Sequence, residues 1–369
     1  VKRIAAFVPN ILGTSPGQRI RIETWAQHLQ DFGWAVDFYP FEDHSLNEVF
    51  YTSGHTLKKA SRLASCYMRQ MRSILDKPSC DLILIYREAS LIGPAILERL
   101  ARRLQVPIIY DIDDPLFLPY HSPTNGWFSL LKFSRKTHTL FSISDHIVSI
   151  NRIIGDYAAK YNPYVTVVPN FLDTQYFCPL EKPKQEPRIG WIGSLSTMPN
   201  LASIAQPISQ LQRETGVPVR IIGVGQANLP GVNVEVKQWS AATEVADLQE
   251  CTVGLVPLND LNWNPWKFFL KTVQYMAVGL PVVARRMGSN CEIIEDGVNG
   301  FLVETEREWY DRLRLLTTDA ELHLRMSKEA RKTAVEKFSI QAQMPRVAEI
   351  FDQVMQRSNS AKLPMQHEV

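Results

Sequence analysis

Two lysines four residues apart, Lys267 and Lys271, stand at the head of an apolar stretch that closes with Ala277-Val278-Gly279-Leu280-Pro281. On a helix that spacing puts both cations on one face, and near a helix start the backbone dipole adds to their charge. The pair suits a phosphate or diphosphate, while solvated surface lysines are the plain alternative. A second cationic pair, Arg19 and Arg21, follows a turn containing Gly13 and Gly17 and has the same two readings. Elsewhere YDIDDPLFL (110–118) collects Asp111, Asp113 and Asp114. Carboxylates there could take a proton or stabilise developing positive charge. Adjacent side chains alternate across a strand, which weighs against but does not remove a metal reading of the aspartates, and the eight histidines form no pair at ligand spacing. No metal or other cofactor is expected.

These residues need a scaffold, and its pattern recurs along the chain. Short apolar runs alternate with amphipathic stretches, as in parallel α/β proteins. Six strands are predicted at 3–9, 35–41, 81–87, 107–113, 146–151 and 165–170, and six more at 188–194, 219–225, 232–237, 253–258, 281–285 and 300–304. The fold class is therefore α/β, two Rossmann-like doubly wound domains facing a cleft, with ligands beyond the carboxyl ends of the strands. The expected divisions are a first domain at 1–175, a Pro/Lys/Glu-rich linker at 176–187 and a second domain at 188–335. A helix crossing between domains at 336–357 and a disordered tail at 358–369 complete the chain.

With 369 residues, 45% hydrophobic and 21% charged, two cores are expected of an ordinary soluble protein. A formal net charge of +2 gives no reason to expect nucleic acid as a partner. Five scattered cysteines suggest neither zinc nor a disulfide framework and fit a reducing cytoplasm. No signal peptide or spanning segment is expected.

From Pro257 to Glu304 the pieces fall in a distinctive order: strand, loop, WKFFLKTVQYMAVGLPVVA, then Glu292 and Asp296-Gly297-Val298-Asn299-Gly300. This resembles retaining glycosyltransferases of family 4 and their GT-B relatives, in which "K..LK..EYMA.G.PVVA" is followed by "EII.DG.NG.LV". The resemblance implies a hexosyltransferase that takes a nucleotide diphosphate sugar as donor and a glycan or lipid-linked acceptor, without an essential metal. It assigns the leaving diphosphate to Lys271 and Lys267. It also implies donor contacts at Gly193 and Ser194 in the first turn of the second domain, at Gly223 and Gly225 in IIGVGQ, and around Lys237-Gln238-Trp239 for the base. In the first domain it points to the loop containing Gly17 and Arg19, to Arg21 reaching across the cleft, and to Asp113 at the position of a family histidine.

Two departures stand out. The family's Glu-x7-Glu pair is replaced by Trp266 and Gln274, leaving an uncharged amide where a ribose diol is expected, with Asp260 or Asn264 as stand-ins for the first carboxylate. Glu292 has two readings of equal weight, a sugar-hydroxyl acceptor or a helix cap. The alternatives are therefore a sugar-nucleotide 2-epimerase-like enzyme, or a catalytically impaired GT-B protein that binds or scaffolds. Finally, Lys58–Leu75 carries Lys58, Lys59, Arg62, Arg69 and Arg72 interleaved with Leu63, Met68, Met71 and Leu75. That pattern suits an anionic membrane surface on the inner face of the cell membrane, as does 126–136, or a helix that buries its apolar side in its own domain.

Overall fold

The computed structural model describes residues 1–52, 54–119, 133–181 and 186–362. Part of the predicted linker (182–185), most of the second cationic candidate (126–132) and the end of the predicted tail (363–369) lie outside the described residues.

Two compact units emerge, one of Val1–Pro169 with the chain from Met344 on, the other Asn170–Gln343. In the first, β1 (Lys2–Val8), β2 (Trp34–Pro40), β3 (Leu82–Tyr86), β4 (Ile108–Ile112), β5 (His146–Ser149) and β6 (Val165–Val167) form one parallel sheet. Its order is β2-β1-β3-β4-β5-β6, so chain direction across the sheet reverses beside β1. The run Leu82-Ile83-Leu84-Ile85-Tyr86 is buried throughout, as a strand covered on both faces requires.

The second unit pairs β7 (Ile189–Ile192), β8 (Val219–Ile222), β9 (Val234–Lys237), β10 (Val253–Val256), β11 (Val282–Arg285) and β12 (Gly300–Val303) in the order β12-β11-β10-β7-β8-β9. The two-residue strand period divides its core. Trp191, Ile221, Leu255, Val283 and Phe301 join one cluster with Trp309 and Leu313. Ile192, Ile222, Val256, Val282 and Leu302 join another with Val273, Met276 and Phe338. The order reverses between β7 and β10, and crevices at such switch points receive ligands in doubly wound folds. All twelve predicted strands are present.

Residues 170–175, expected in the first domain, pack with the second unit. The Leu172 N–H donates to the Phe338 carbonyl at 3.0 Å, and its side chain joins Ala330, Ala334 and Phe338. The last helix runs from Ile340 to Lys362, further than predicted, so residues 358–362 are helix and not tail. Phe351, on that helix, sets its ring edge against Trp25 and Trp34 in the first unit's core.

Candidate functional site

The helix Leu270–Ala277 begins later than its sequence suggests. Pro265 lies in a single turn, Asn264–Trp266, after which Lys267 is extended (φ −80, ψ 151). Lys267 is therefore exposed and does not share a helix face with Lys271, which corrects the paired-lysine expectation. A distant segment fixes the helix start. The Phe269 N–H donates to Ser289 Oγ at 2.9 Å, and the Thr272 hydroxyl donates to Asn290 Oδ1 at 2.8 Å. In the sequence only their position after Gly288 marks Ser289 and Asn290.

Lys271 reaches the end of β7. Its Nζ donates to the Ile192 carbonyl at 2.9 Å and lies 5.2 Å from the centre of the Trp191 ring. Tyr275, four residues on, accepts the Ile192 N–H at 2.8 Å, so both backbone polar groups of that residue are held by one helix. Burial lowers the Lys271 ammonium to about 8, and among the described residues no carboxylate pairs with it. It is a cation at the switch point without a counter-anion among the described residues.

The glycine turns lie directly beyond. Gly193 donates its N–H to the Ile222 carbonyl, and the Gly223 N–H donates to the Lys237 carbonyl, both at 2.9 Å. Gly223 has φ +119, and a Cβ there would lie 2.0 Å from the Gly193 carbonyl oxygen, so only glycine lets the two turns meet. The Ser194 N–H donates to Thr197 Oγ1 at 3.0 Å. The N–H groups of Gly193 and Ser194 are thus already engaged within the protein. Gly225 is exposed, with open space on its Cα.

Gln274 is part-buried and donates from Nε2 to Glu244 Oε1 at 2.8 Å. Neither stand-in for the missing first carboxylate is free. Asn264 donates to Asn259 at 2.9 Å, and Asp260 pairs with Arg285 at 3.3 Å. Glu292 is exposed in the first turn of the short helix Asn290–Ile293, and its two readings both stand.

In the first unit Arg21 is not available to a ligand. Its Nε and Nη2 grip both oxygens of Asp111 at 2.6 and 2.7 Å, Nη1 donates to the Val168 carbonyl, and both side chains are fully buried. This corrects the diphosphate reading of Arg21, whereas Arg19 is exposed on the same turn. Asp113 accepts from Arg87 at 2.5 and 2.8 Å and from the Tyr86 hydroxyl at 2.6 Å. Burial alone would raise Asp113, but Arg87 and Tyr86 hold it below the ordinary carboxylate range, so it is a poor proton acceptor. Arg87 also pairs with Asp114 at 2.8 Å and adopts φ +60, uncommon for a side chain other than glycine. Gly17 closes over this group: a Cβ there would meet Arg87 Nη2 at 3.1 Å and Asp113 Oδ2 at 3.4 Å. Among the described residues no three His, Cys, Asp or Glu side chains group as a metal site would need.

The helix Thr56–Leu75 is amphipathic, but its faces differ from the expected ones. Lys59 is buried and donates to the Thr52 carbonyl at 2.6 Å, Leu63 is core, and Arg69 binds Asp43 and the Phe41 carbonyl. Leu57, Lys58, Arg62, Met68, Arg72 and Leu75 remain exposed. Among the described residues no helix is long and apolar enough to cross a membrane.

Comparison with known proteins adds a partial family match and a fold. Residues 186–319 match the family described as "Glycosyl transferases group 1". Spore coat protein SA of Bacillus subtilis is 34% identical over 91 residues, 23% of each chain. Glucosyltransferase 3 of Streptococcus gordonii is 24% identical over 149 residues, 38% of this chain and 42% of that one. Both matches therefore span less than half of the curated relatives' own length. The structure of Anabaena HepE in complex with UDP and glucose superimposes with a TM-score of 0.68 at 15% identity, covering 96% of this chain and 100% of that one. The chain has the two-unit GT-B fold.

Proposed function

We propose that the second unit binds a nucleotide diphosphate sugar at the carboxyl ends of its strands, and that the protein is a hexosyltransferase acting on a glycan or lipid-linked acceptor with retention of configuration. The observation that carries this reading is Lys271: a part-buried cation without a carboxylate partner among the described residues, set on the Ile192 carbonyl at the β7/β10 switch point. An anion that fits there gains a charge-assisted contact in a weakly solvated place. In the step envisaged, the sugar's anomeric carbon forms a bond to the acceptor oxygen and breaks its bond to the diphosphate. The departing phosphate takes the acceptor's proton, and Lys271 stabilises the charge it gathers. Asp113, held by Arg87, serves in shaping the first unit's loop beside Gly17, and Lys267 adds long-range attraction from an exposed position.

The likeness to Glucosyltransferase 3 and to HepE in complex with UDP and glucose supports a sugar-nucleotide donor. The exposed Leu57, Lys58, Arg62, Met68, Arg72 and Leu75 support a peripheral contact with anionic lipid at the inner face of the membrane, in a cytoplasmic protein. One observation favours a second reading, binding with impaired turnover: Trp266 stands where the family pattern has a carboxylate. A panel of UDP-, GDP-, ADP- and dTDP-sugars decides between them. Transfer or slow donor hydrolysis supports the transferase, an epimerised donor the epimerase, and stabilisation without turnover the impaired binder. If no donor raises the melting temperature, the donor site is refuted, since a ligand of the folded state must stabilise it.

A further inference from the structure

Gln274 follows Lys271 by three residues on one helix, so the two share a face with Cβ atoms roughly 5–6 Å apart. The Gln274 amide is turned onto Glu244, with Nε2 donating to Oε1 at 2.8 Å. Glu244 opens the helix Glu244–Gln249, which the chain reaches from the carboxyl end of β9. The carboxylate is part-buried, and among the described residues it has no lysine or arginine partner. Its second oxygen accepts no hydrogen bond from the described residues.

A carboxylate in that position lacks part of its water and has one oxygen unused, so it favours a ligand that brings hydroxyl donors. A nucleotide whose diphosphate rests on Lys271 carries such donors a few ångströms away, in the adjacent 2′- and 3′-hydroxyls of its ribose. An acidic side chain at the carboxyl edge of a doubly wound sheet is a suitable acceptor for them. We propose that Glu244 is the ribose-binding carboxylate of this protein and that Gln274 is its positioning residue, an inference that rests on the nucleotide reading above. The missing charge at residue 274 then has a reason. A carboxylate in its place would face Glu244 as a like charge, whereas the amide donates to Glu244 and holds its rotamer. The acid has moved from one helix to its neighbour, and specificity for ribose moves with it.

The test compares each nucleoside diphosphate with its 2′-deoxy counterpart by isothermal titration, using the uridine, guanosine and adenosine pairs. For the pair that binds, the unaltered protein is expected to prefer the ribonucleotide by about tenfold. Glu244→Gln should bring that ratio close to one by weakening the ribonucleotide alone, and Gln274→Leu should lower it in part. Lys271→Ala should weaken both nucleotides and leave the ratio in place. An unchanged ratio in Glu244→Gln, or equal loss of both nucleotides, overturns the assignment of Glu244 and leaves the donor site intact. If the unaltered protein binds none of the six, the nucleotide reading fails and this inference with it. Melting temperatures of the free variants separate lost contact from lost fold, and Glu244→Asp should recover part of the ratio if the carboxylate is what matters.

Discussion

The Lys271 ammonium lies 2.9 Å from the backbone carbonyl of Ile192, the last residue of β7, and the same residue's N–H is held by Tyr275. A carbonyl dipole holds the cation in place but leaves its charge uncompensated, so the site is prepared for an anion. Lys271→Ala is expected to weaken nucleoside diphosphate binding roughly 10- to 100-fold, the usual range for a contact to a charged group. Lys267→Ala, at an exposed position, should change it less than about threefold. Titration calorimetry on both variants checks this, and equal losses would return Lys267 to the site.

The same lysine makes binding pH-dependent. Burial lowers the free ammonium to about 8, below its ordinary 10.5. A bound diphosphate favours the charged form and raises it again. Well below pH 8 both states carry the lysine proton, and Lys271 adds no slope there. Above it the free protein has lost a proton that the complex must regain, so affinity falls by about tenfold per pH unit until the complex itself titrates. Terminal phosphates are fully ionised there and contribute nothing to the slope. Calorimetry at pH 8.5 in buffers of different ionisation enthalpy should detect proton uptake on binding, and its absence would deny Lys271 the contact.

Gly223 is where the turns of β7 and β8 meet. With φ +119 and a Gly193 carbonyl 2.0 Å from any added Cβ, Gly223→Ala must strain the backbone and part the turns, at about 3–5 kcal/mol. Gly225→Ala meets open space and should cost below about 1 kcal/mol. Urea unfolding distinguishes them, and two equal midpoints would mean that the turns do not rely on their contact.

What the sequence displays well is whatever depends on neighbours along the chain. VRIIGVG and VGLVPL could only be buried strands, because both sheet faces demand apolar side chains, and the glycine after each β7 and β8 run marks its turn. What it conceals depends on partners far away. Lys267 looks helical until Ser289 and Asn290 are seen to fix the helix start at Leu270. Gln274 looks like a loss until Glu244, thirty residues earlier, is found against it. Arg21 looks like a ligand-facing cation beside Arg19, yet two residues of helical rotation separate solvent from core.

Arg21 and Asp111 form a fully buried ion pair, both side chains at 0% exposure, with the guanidinium also 4.7 Å from the Trp25 ring. Removing one partner strands the other charge, so Arg21→Met should cost about 3–5 kcal/mol, whereas the double change Arg21→Met/Asp111→Leu should recover most of it. The deficit of the single variant should also depend on pH. Burial already pushes Asp111 up to about 6 with Arg21 beside it, and without that cation the carboxyl rises further. A folded-state carboxyl raised above its unfolded value binds the extra proton as pH falls, so the variant regains stability from pH 8 towards pH 5. Urea unfolding of the three proteins at both pH values measures this. A single-variant loss that stays below about 1 kcal/mol, or that grows as the pH falls, would mean that Asp111 is not held as a buried anion by Arg21.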